Sequence, residues 1–235
     1  MSDARRCRRA RAPCGGVEGA GVTPAKRLLD LIVALALVLV LALPFALLLL
    51  ILLVVEGRPL FYVAERMRAP NEPFQLWKLR TMRAAARNDG VSGGDKANRI
   101  TRTGRFLRRT RLDEIPQLWN VLRGDMSFVG PRPPLRRYVE DYRDLYARVL
   151  RSRPGITGLA SLHFHRHEEW LLAQCRTAEE TDRTYRERCI PRKAKLDLIY
   201  QQRRTLCLDL ALMYQTVARV MVLRNRQPFA KERRA

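Results

Sequence analysis

Two adjacent carboxylates, Asp113 and Glu114, are the side chains here that suggest chemistry. They lie in the stretch TRLDEIPQLWN, and Arg105, Arg108 and Arg111 are among the arginines just before them. A carboxylate can act as a general acid or base, or as a covalent nucleophile on phosphorus. This stretch alone favours a structural role, because acidic residues near a helix N-terminus interact with the helix dipole by roughly 0.3–1 kcal/mol each.

Three further motifs carry groups typical of phosphate binding. In WKLRTM, Lys78 and Arg80 alternate and are predicted to share one face of a strand. In DMSFVGPRPP, prolines stiffen the backbone on either side of Arg132, and RPGITG reads as a turn bounded by glycines. The predicted phosphate-binding residues are Lys78, Arg80, Arg108, Arg111 and Arg132.

A membrane segment must position these groups. Residues 31–55 are 25 consecutive uncharged residues, more than the roughly 20 that cross a bilayer as a helix. Basic residues flank the segment on both sides, and basic flanks favour the cytoplasmic face. Pro44 is expected to kink the helix. Two topologies are therefore open: a helix bent at Pro44 that enters and leaves by the same face, or a spanning helix with a proline kink.

The composition points to anionic partners. Forty-five Lys and Arg residues against 23 Asp and Glu residues give a net charge of +22. Such a charge attracts nucleic acid, acidic lipid head groups or phosphorylated substrates. The five cysteines are widely spaced, which argues against a disulfide framework and against a cysteine zinc site.

The pattern of apolar residues predicts an α+β fold that is mostly helical. We expect a disordered basic N-terminus over residues 1–25, a membrane helix over 26–55, and one catalytic domain over 56–235. Two short strands joined at RAPN predict a β-hairpin. Helices are predicted over residues 100–109, 116–122, 134–151, 192–202 and 205–223.

The three histidines of the chain alternate in HFHRHEE. His163, His165 and His167 would share one face if this segment were a strand. Zinc binding, a surface role and a role beside the substrate are the interpretations open to them.

Taken together, these motifs resemble the bacterial sugar transferase family, in its small monotopic phosphoglycosyl transferase form. The resemblance is carried by KRLLD at 26–30, PFQLWKLRTM at 73–82, the long block at 103–133, RPGITGLA at 153–160 and KLDLIY at 195–200. It implies an enzyme that moves a sugar-1-phosphate from a UDP-sugar to undecaprenyl phosphate and releases UMP. Such an enzyme performs the first membrane step of exopolysaccharide, O-antigen or glycan assembly.

The resemblance also implies roles for particular residues. Asp113 would be the nucleophile that forms an aspartyl phosphosugar, and Glu114 would assist by handling a proton or by orienting the acceptor. Mg²⁺ would lie near Asp113. The loops on the nucleotide-sugar or lipid side would contain Pro131, Pro133, Arg153, Gly155 and Thr157. The membrane helix would be re-entrant, kinked at Pro44, on the cytoplasmic face of the bacterial inner membrane. The implied partners are the membrane lipids and downstream glycosyltransferases, and not nucleic acid.

Two competing hypotheses make different predictions. A membrane-anchored basic protein that binds nucleic acid would show salt-sensitive binding and would tolerate loss of Asp113. An enzyme in which Asp113 is only a metal ligand would let the lipid phosphate attack the donor directly. Trapping of a labelled sugar phosphate on the protein distinguishes this last mechanism from the covalent one.

Overall fold

The computed structural model describes residues 22–83 and 99–223 of the chain, with the side chains of 221–223 left out. Its elements are mostly helical with one antiparallel hairpin, as predicted. The predicted disordered N-terminus lies almost wholly outside the described residues.

The first element is helix α1, Pro24–Glu56, which continues through Pro44. Thr23 caps its N-terminus by accepting a hydrogen bond from the Lys26 amide, and Gly57 follows its last residue with a φ of 69°. By length and composition this helix could cross a membrane. Large apolar side chains are exposed along its whole length, from Leu28 to Val55, and exposure reaches 81% at Leu43. The predicted apolar helix is therefore present, with most of its surface left uncovered by the rest of the chain.

Both ends of α1 are attached to the rest of the chain. Near the N-terminus, Lys26 Nζ lies 2.7 Å from Asp209 Oδ2, and both side chains are almost fully buried. At the C-terminus, Thr101 Oγ1 donates to Glu56 Oε1 at 2.6 Å. The first and last turns of α1 therefore bond to the same folded body, and partly buried residues between them pack against its core clusters.

The predicted hairpin is confirmed. Strand β1, Phe61–Ala69, pairs antiparallel with β2, Glu72–Leu79, and the register places Phe61 opposite Leu79. Alternating residues of β2 are buried, including Phe74 and Leu76, so one face of the hairpin packs on the core.

Two short helices follow the hairpin. Helix α2, Arg102–Thr110, and helix α3, Gln117–Arg123, agree with the helices predicted there. Between them lies a 3-10 turn, Leu112–Glu114, entered through Arg111 in the left-handed conformation (φ 60°). Gly124 ends α3 with a φ of 92°, which is the glycine C-cap expected from the sequence.

A parallel strand pair was not predicted. Strand β3, Ser127–Val129, pairs with β4, Gly155–Thr157, where the sequence indicated only a turn. The single helix predicted over 134–151 is instead two helices, α4 (Arg136–Asp141) and α5 (Arg143–Val149). The break comes at Tyr142, whose ψ of 49° is not helical.

From Leu159 to Leu223 the described chain is a series of helices joined by short connections. The prediction of a strand through the histidines is wrong, because Phe164 N bonds Ala160 O and Glu168 N bonds Phe164 O, a helical pattern. Residues two apart on a helix point in different directions, so the three histidines do not share a face. The elements are α6 (Leu159–His163), α7 (His165–Ala173), α8 (Ala178–Thr184), a π-helical turn (Tyr185–Cys189), α9 (Ile190–Arg203) and α10 (Leu206–Leu223).

One buried network joins α1, α10 and β3. The Tyr200 hydroxyl donates to Asp209 Oδ1 at 2.6 Å and also lies 3.2 Å from the Val129 carbonyl oxygen. Asp30 Oδ1 accepts from the Phe128 amide. Because Asp209 also binds Lys26, the motif KRLLD links the first turns of α1 to the strand that precedes Gly130.

Candidate active site

The 3-10 turn brings Asp113 and Glu114 to the wall of a large cavity. Both residues are only 7% exposed, and the cavity beside them has a volume of about 1200 Å³. The left-handed conformation of Arg111 redirects the chain after α2, so the two carboxylates come just before α3, where the sequence predicted them.

Glu114 is surrounded by cations. Its Oε1 atom lies 3.0 Å from Arg132 Nη2, 3.2 Å from Lys78 Nζ and 3.5 Å from Arg111 Nη1. Burial by itself would raise the pKa of Glu114, but these three charges outweigh it and hold the pKa well below the usual range. Glu114 is therefore a permanent anion that collects three cations from separate parts of the chain.

Asp113 is in the opposite situation. Its Oδ1 atom is buried and has no hydrogen-bond partner among the described residues. Burial raises the pKa of Asp113, and the charge of Glu114 raises it further, against the effect of Lys78 and Arg108. A carboxylate oxygen without a hydrogen-bond partner, such as Asp113 Oδ1, can bind a metal ion or attack an electrophile. Asp113 and Glu114 are therefore suited to different roles.

The predicted cations do not all reach the carboxylates. Arg108 borders the cavity, and its Nε donates to Thr81 Oγ1 at 2.9 Å. Arg80 also borders the cavity, but β2 ends before it. Its guanidinium instead donates to the carbonyl oxygens of Glu56 and Gly57, at the end of α1. Thus Lys78 and Arg80 do not act as a pair on one strand face, because Arg80 caps the C-terminal end of α1.

The loop that carries Arg132 is fixed by the parallel strand pair. Gly130 N donates to Thr157 O, and Gly155 N donates to Pro131 O, each at 2.9 Å. A Cβ on Gly130 would lie 2.2 Å from the Arg153 carbonyl oxygen, so only glycine fits there. Of the predicted loop residues, Pro133 borders the cavity, whereas Pro131, Arg153, Gly155 and Thr157 stand behind it.

Sequence reasoning missed a second polar group on the cavity wall, which we term the α7–α9 cluster: Glu168, Lys193 and Asp197. Lys193 Nζ donates to Glu168 Oε1 at 2.8 Å and lies 3.3 Å from the Tyr185 hydroxyl. All four side chains border the cavity. A usable signal existed, because Lys193 and Asp197 are four residues apart in a predicted helix and therefore share a face.

Only one of the three histidines borders the cavity. This is His165, whose pKa is lowered to about 4 by burial and by the charges of Arg111 and Arg132. His163 is exposed, and His167 is exposed too, with its ring stacked on Trp170. The zinc interpretation therefore has no support from their positions.

Within the part of the chain that the structure describes, no three His, Cys, Asp or Glu side chains converge to hold a metal ion. Mg²⁺ is commonly held by one or two carboxylates together with substrate phosphates. Asp113 can supply such a carboxylate, because its buried Oδ1 atom has no hydrogen-bond partner among the described residues. The residues present thus fit a cation that is completed by a phosphorylated substrate.

Comparison with known proteins identifies relatives along most of the chain. The family model described as bacterial sugar transferase matches residues 22–223. An uncharacterized sugar transferase of Bacillus subtilis, EpsL, is 33% identical over 197 residues, which cover 84% of this chain and 87% of that protein.

Two relatives carry a named reaction. A UDP-glucose:undecaprenyl-phosphate glucose-1-phosphate transferase of Caulobacter vibrioides is 35% identical over 218 residues, covering 91% of this chain and 76% of the relative. A Klebsiella pneumoniae enzyme of the same name is 34% identical over 196 residues, covering 82% of this chain. That match spans 39% of the Klebsiella protein's length.

Proposed function

Because the chain belongs to the bacterial sugar transferase family, we propose that it transfers a sugar-1-phosphate from a UDP-sugar to undecaprenyl phosphate and releases UMP. Membership makes the protein a transferase, and the named relatives use this donor and acceptor class. The observation that carries the proposal is the contrast within the carboxylate pair. An unpartnered Asp113 borders the cavity beside a Glu114 that gathers three cations.

In the first step, an Asp113 oxygen forms a bond to the β-phosphorus of the donor. The bond from that phosphorus to the bridging oxygen breaks, and UMP leaves with the electron pair. The attacking carboxylate and the diphosphate are both anionic, so cations must offset their repulsion. Lys78, Arg108 and Arg132 border the cavity and are suited to that task.

In the second step, an oxygen of the lipid phosphate attacks the phosphorus of the aspartyl phosphosugar. The acyl–phosphate bond breaks, the carboxylate of Asp113 is regenerated, and a lipid-linked sugar diphosphate is released. The low pKa of Glu114 favours one of the two roles considered for it. A group that stays ionised is a poor proton carrier near neutral pH, so Glu114 is assigned the other role, orientation of the acceptor phosphate, through its contacts with Lys78, Arg111 and Arg132.

We further propose that Mg²⁺ assists the reaction, held by Asp113 and by phosphate oxygens of the donor. When bound, such a cation neutralises charge on the transferring phosphoryl group. The support from this chain is the buried Asp113 oxygen without a hydrogen-bond partner. Titration of activity with Mg²⁺ after chelation tests the requirement, and full activity in chelator would remove the metal from the mechanism.

The proposal includes a re-entrant α1 on the cytoplasmic face of the bacterial inner membrane. Its support is that both ends of α1 bond to one folded body, through Lys26 and Glu56, while the middle around Pro44 is exposed. A straight helix of 33 residues would be about 50 Å long, and its ends would lie on opposite sides of a bilayer. Single cysteines at the exposed positions Ala25 and Arg58, in a variant without the native cysteines, should both react with an impermeant maleimide from the cytoplasmic side only. Reaction from opposite sides would exclude the re-entrant topology.

The product also defines the neighbouring steps. A lipid-linked sugar diphosphate is an acceptor for glycosyltransferases, so downstream enzymes that extend it are the expected partners. This places the reaction at the start of exopolysaccharide, O-antigen or glycan assembly.

The decisive experiment is UMP release from a panel of UDP-sugars in the presence of undecaprenyl phosphate and Mg²⁺. Lipid-dependent UMP release by the wild type, lost in Asp113→Asn and kept in the exposed control Asp144→Asn, would support the proposal. Release that persists in Asp113→Asn would exclude Asp113 as the nucleophile. No release from any donor in the panel would count against the reaction itself.

A second measurement separates covalent from direct transfer. Incubation with donor labelled in the β-phosphate, without lipid, should leave label on the wild-type protein and none on Asp113→Asn. Lipid-dependent turnover without any protein-bound label would favour direct attack by the lipid phosphate.

A further inference from the structure

The α7–α9 cluster contains a buried carboxyl group, that of Asp197, which is 7% exposed and borders the cavity. Burial raises the pKa of Asp197 to about 7, and the charge of Glu168 acts in the same direction against that of Lys193. Among the hydrogen bonds found between the described residues, none involves this side chain. A buried carboxylate without hydrogen bonds is costly, so such a group normally has a partner. Here the open side is the cavity, and the missing partner is therefore expected to be a ligand.

The cluster adjoins the phosphate-binding side of the cavity. The guanidinium of Arg132 pairs with Glu114, and the charge of Glu168 contributes to raising the pKa of Arg132. The charges of Arg132, Glu168 and Lys193 also affect the pKa of His165, so these side chains lie near one another. A donor whose β-phosphate lies beside Arg132 would therefore carry the group attached to that phosphate toward the cluster.

The charges of the cluster select the kind of group it can hold. The cluster has two carboxyl groups against the one ammonium of Lys193, whereas Glu114 alone contacts three cations, so the diphosphate is better matched by the side of the cavity at Arg132. A metal ion would have to lie beside the Lys193 ammonium, which already occupies Glu168 at 2.8 Å. A neutral group rich in hydroxyls is compatible with both signs, because a carboxylate accepts from hydroxyls and an ammonium donates to them.

We propose that Asp197, with Glu168 and Lys193, binds hydroxyl groups of the sugar that is transferred and so discriminates among donors. Asp197 accepts hydrogen bonds from the sugar, and Lys193 holds Glu168 in place beside it. This inference rests on the proposed function, because it assigns the sugar side of the same donor site. Asp197 is then a substrate-binding residue in addition to the carboxylate pair Asp113 and Glu114.

The test compares ligands with and without the sugar. Binding of UDP-glucose, UDP-galactose, their N-acetyl counterparts and UDP is measured by calorimetry in nanodiscs, without lipid acceptor and in an Asp113→Asn background that prevents turnover. Asp197→Asn is expected to weaken the preferred UDP-sugar roughly 10- to 100-fold, as for loss of a charge-assisted hydrogen bond. The affinity for UDP should change less than about twofold, since UDP lacks the transferred sugar that Asp197 is proposed to bind. Glu179→Gln, an exposed acidic residue on α8, is the control and should change neither.

Each other result overturns the inference. Unchanged UDP-sugar affinity in Asp197→Asn would show that Asp197 does not contact the sugar. Equal weakening of UDP and UDP-sugar would assign the carboxylate to the ribose or uracil, or to the fold. If the Asp113→Asn protein binds every UDP-sugar no more tightly than UDP, the transferred sugar contributes nothing to binding and the cluster does not bind it. Failure of wild-type UMP release would refute the proposed function separately, because the binding experiment does not depend on turnover.

Discussion

Amidation of the two adjacent carboxylates is expected to change stability in opposite directions. Glu114→Gln removes an anion that three cations surround, and leaves those cations facing one another. Asp113→Asn removes a charge that has a raised pKa and a buried oxygen without a partner. The first change should destabilise the fold, and the second should stabilise it or leave it unchanged.

The distances set the size of the first effect. A charge pair at about 4 Å near a protein surface interacts by roughly 4 kcal/mol before desolvation is subtracted. The contacts of Arg132 and Arg111 with Glu114 are screened, because these side chains are 38% and 34% exposed, whereas Lys78 is 19% exposed. Breaking a buried pair of this kind costs about 3–5 kcal/mol, and Asp113→Asn should gain about 1 kcal/mol at most.

Thermal unfolding of the purified protein in nanodiscs measures both changes. For a chain of this length, 1 kcal/mol corresponds to roughly 2–4 °C in Tm, so Glu114→Gln should lower Tm by roughly 6–20 °C. Asp113→Asn should raise Tm by a few degrees or leave it unchanged, and Asp144→Asn serves as the exposed control. Equal losses in both variants would refute the distinction between a paired and an unpaired carboxylate.

Three other outcomes are expected. Lys26→Met should cost about 3–5 kcal/mol by leaving Asp209 buried and unpaired, whereas the double change with Asp209→Leu should recover most of it in the same unfolding assay. Gly130→Ala should destabilise by at least about 1–3 kcal/mol, since its Cβ would lie 2.2 Å from a backbone oxygen, and an unchanged Tm would contradict that clash. The charge of Lys78 lowers the pKa of Asp113, so Lys78→Met should raise that pKa. The acid limb of kcat/KM should then move to higher pH, because the attacking form is deprotonated, and a shift to lower pH would refute the assignment.

Elements with local signals were predictable from the sequence. Helix α3 begins after Pro116 and ends at Gly124, residues whose backbone preferences mark those positions. The hairpin was equally clear, because alternating apolar residues flank a short turn. The adjacency of Asp113 and Glu114 is given directly by the sequence.

Features that depend on distant contacts were not predictable. Strands β3 and β4 have three residues each and pair across the two helices between them, so neither has a pattern of its own. The distinct environments of Asp113 and Glu114 arise from cations on β2 and on the Arg132 loop. The α7–α9 cluster comes together only when two helices pack, and the histidine alternation was misleading because the backbone there is helical.

The attachment of α1 at both ends makes its length a fixed dimension of the folded body. Its first turn is held through Lys26 and its last turn through Glu56 and Arg80. Between them, partly buried apolar side chains of the helix pack against two core clusters. Inserting or deleting a turn around Pro44 would therefore displace one end relative to the two carboxylates, whereas exchanging an exposed side chain such as Leu43 for another apolar one would leave those bonds in place. The outward face of α1 can thus change with its apolar surroundings while the geometry of the site stays the same.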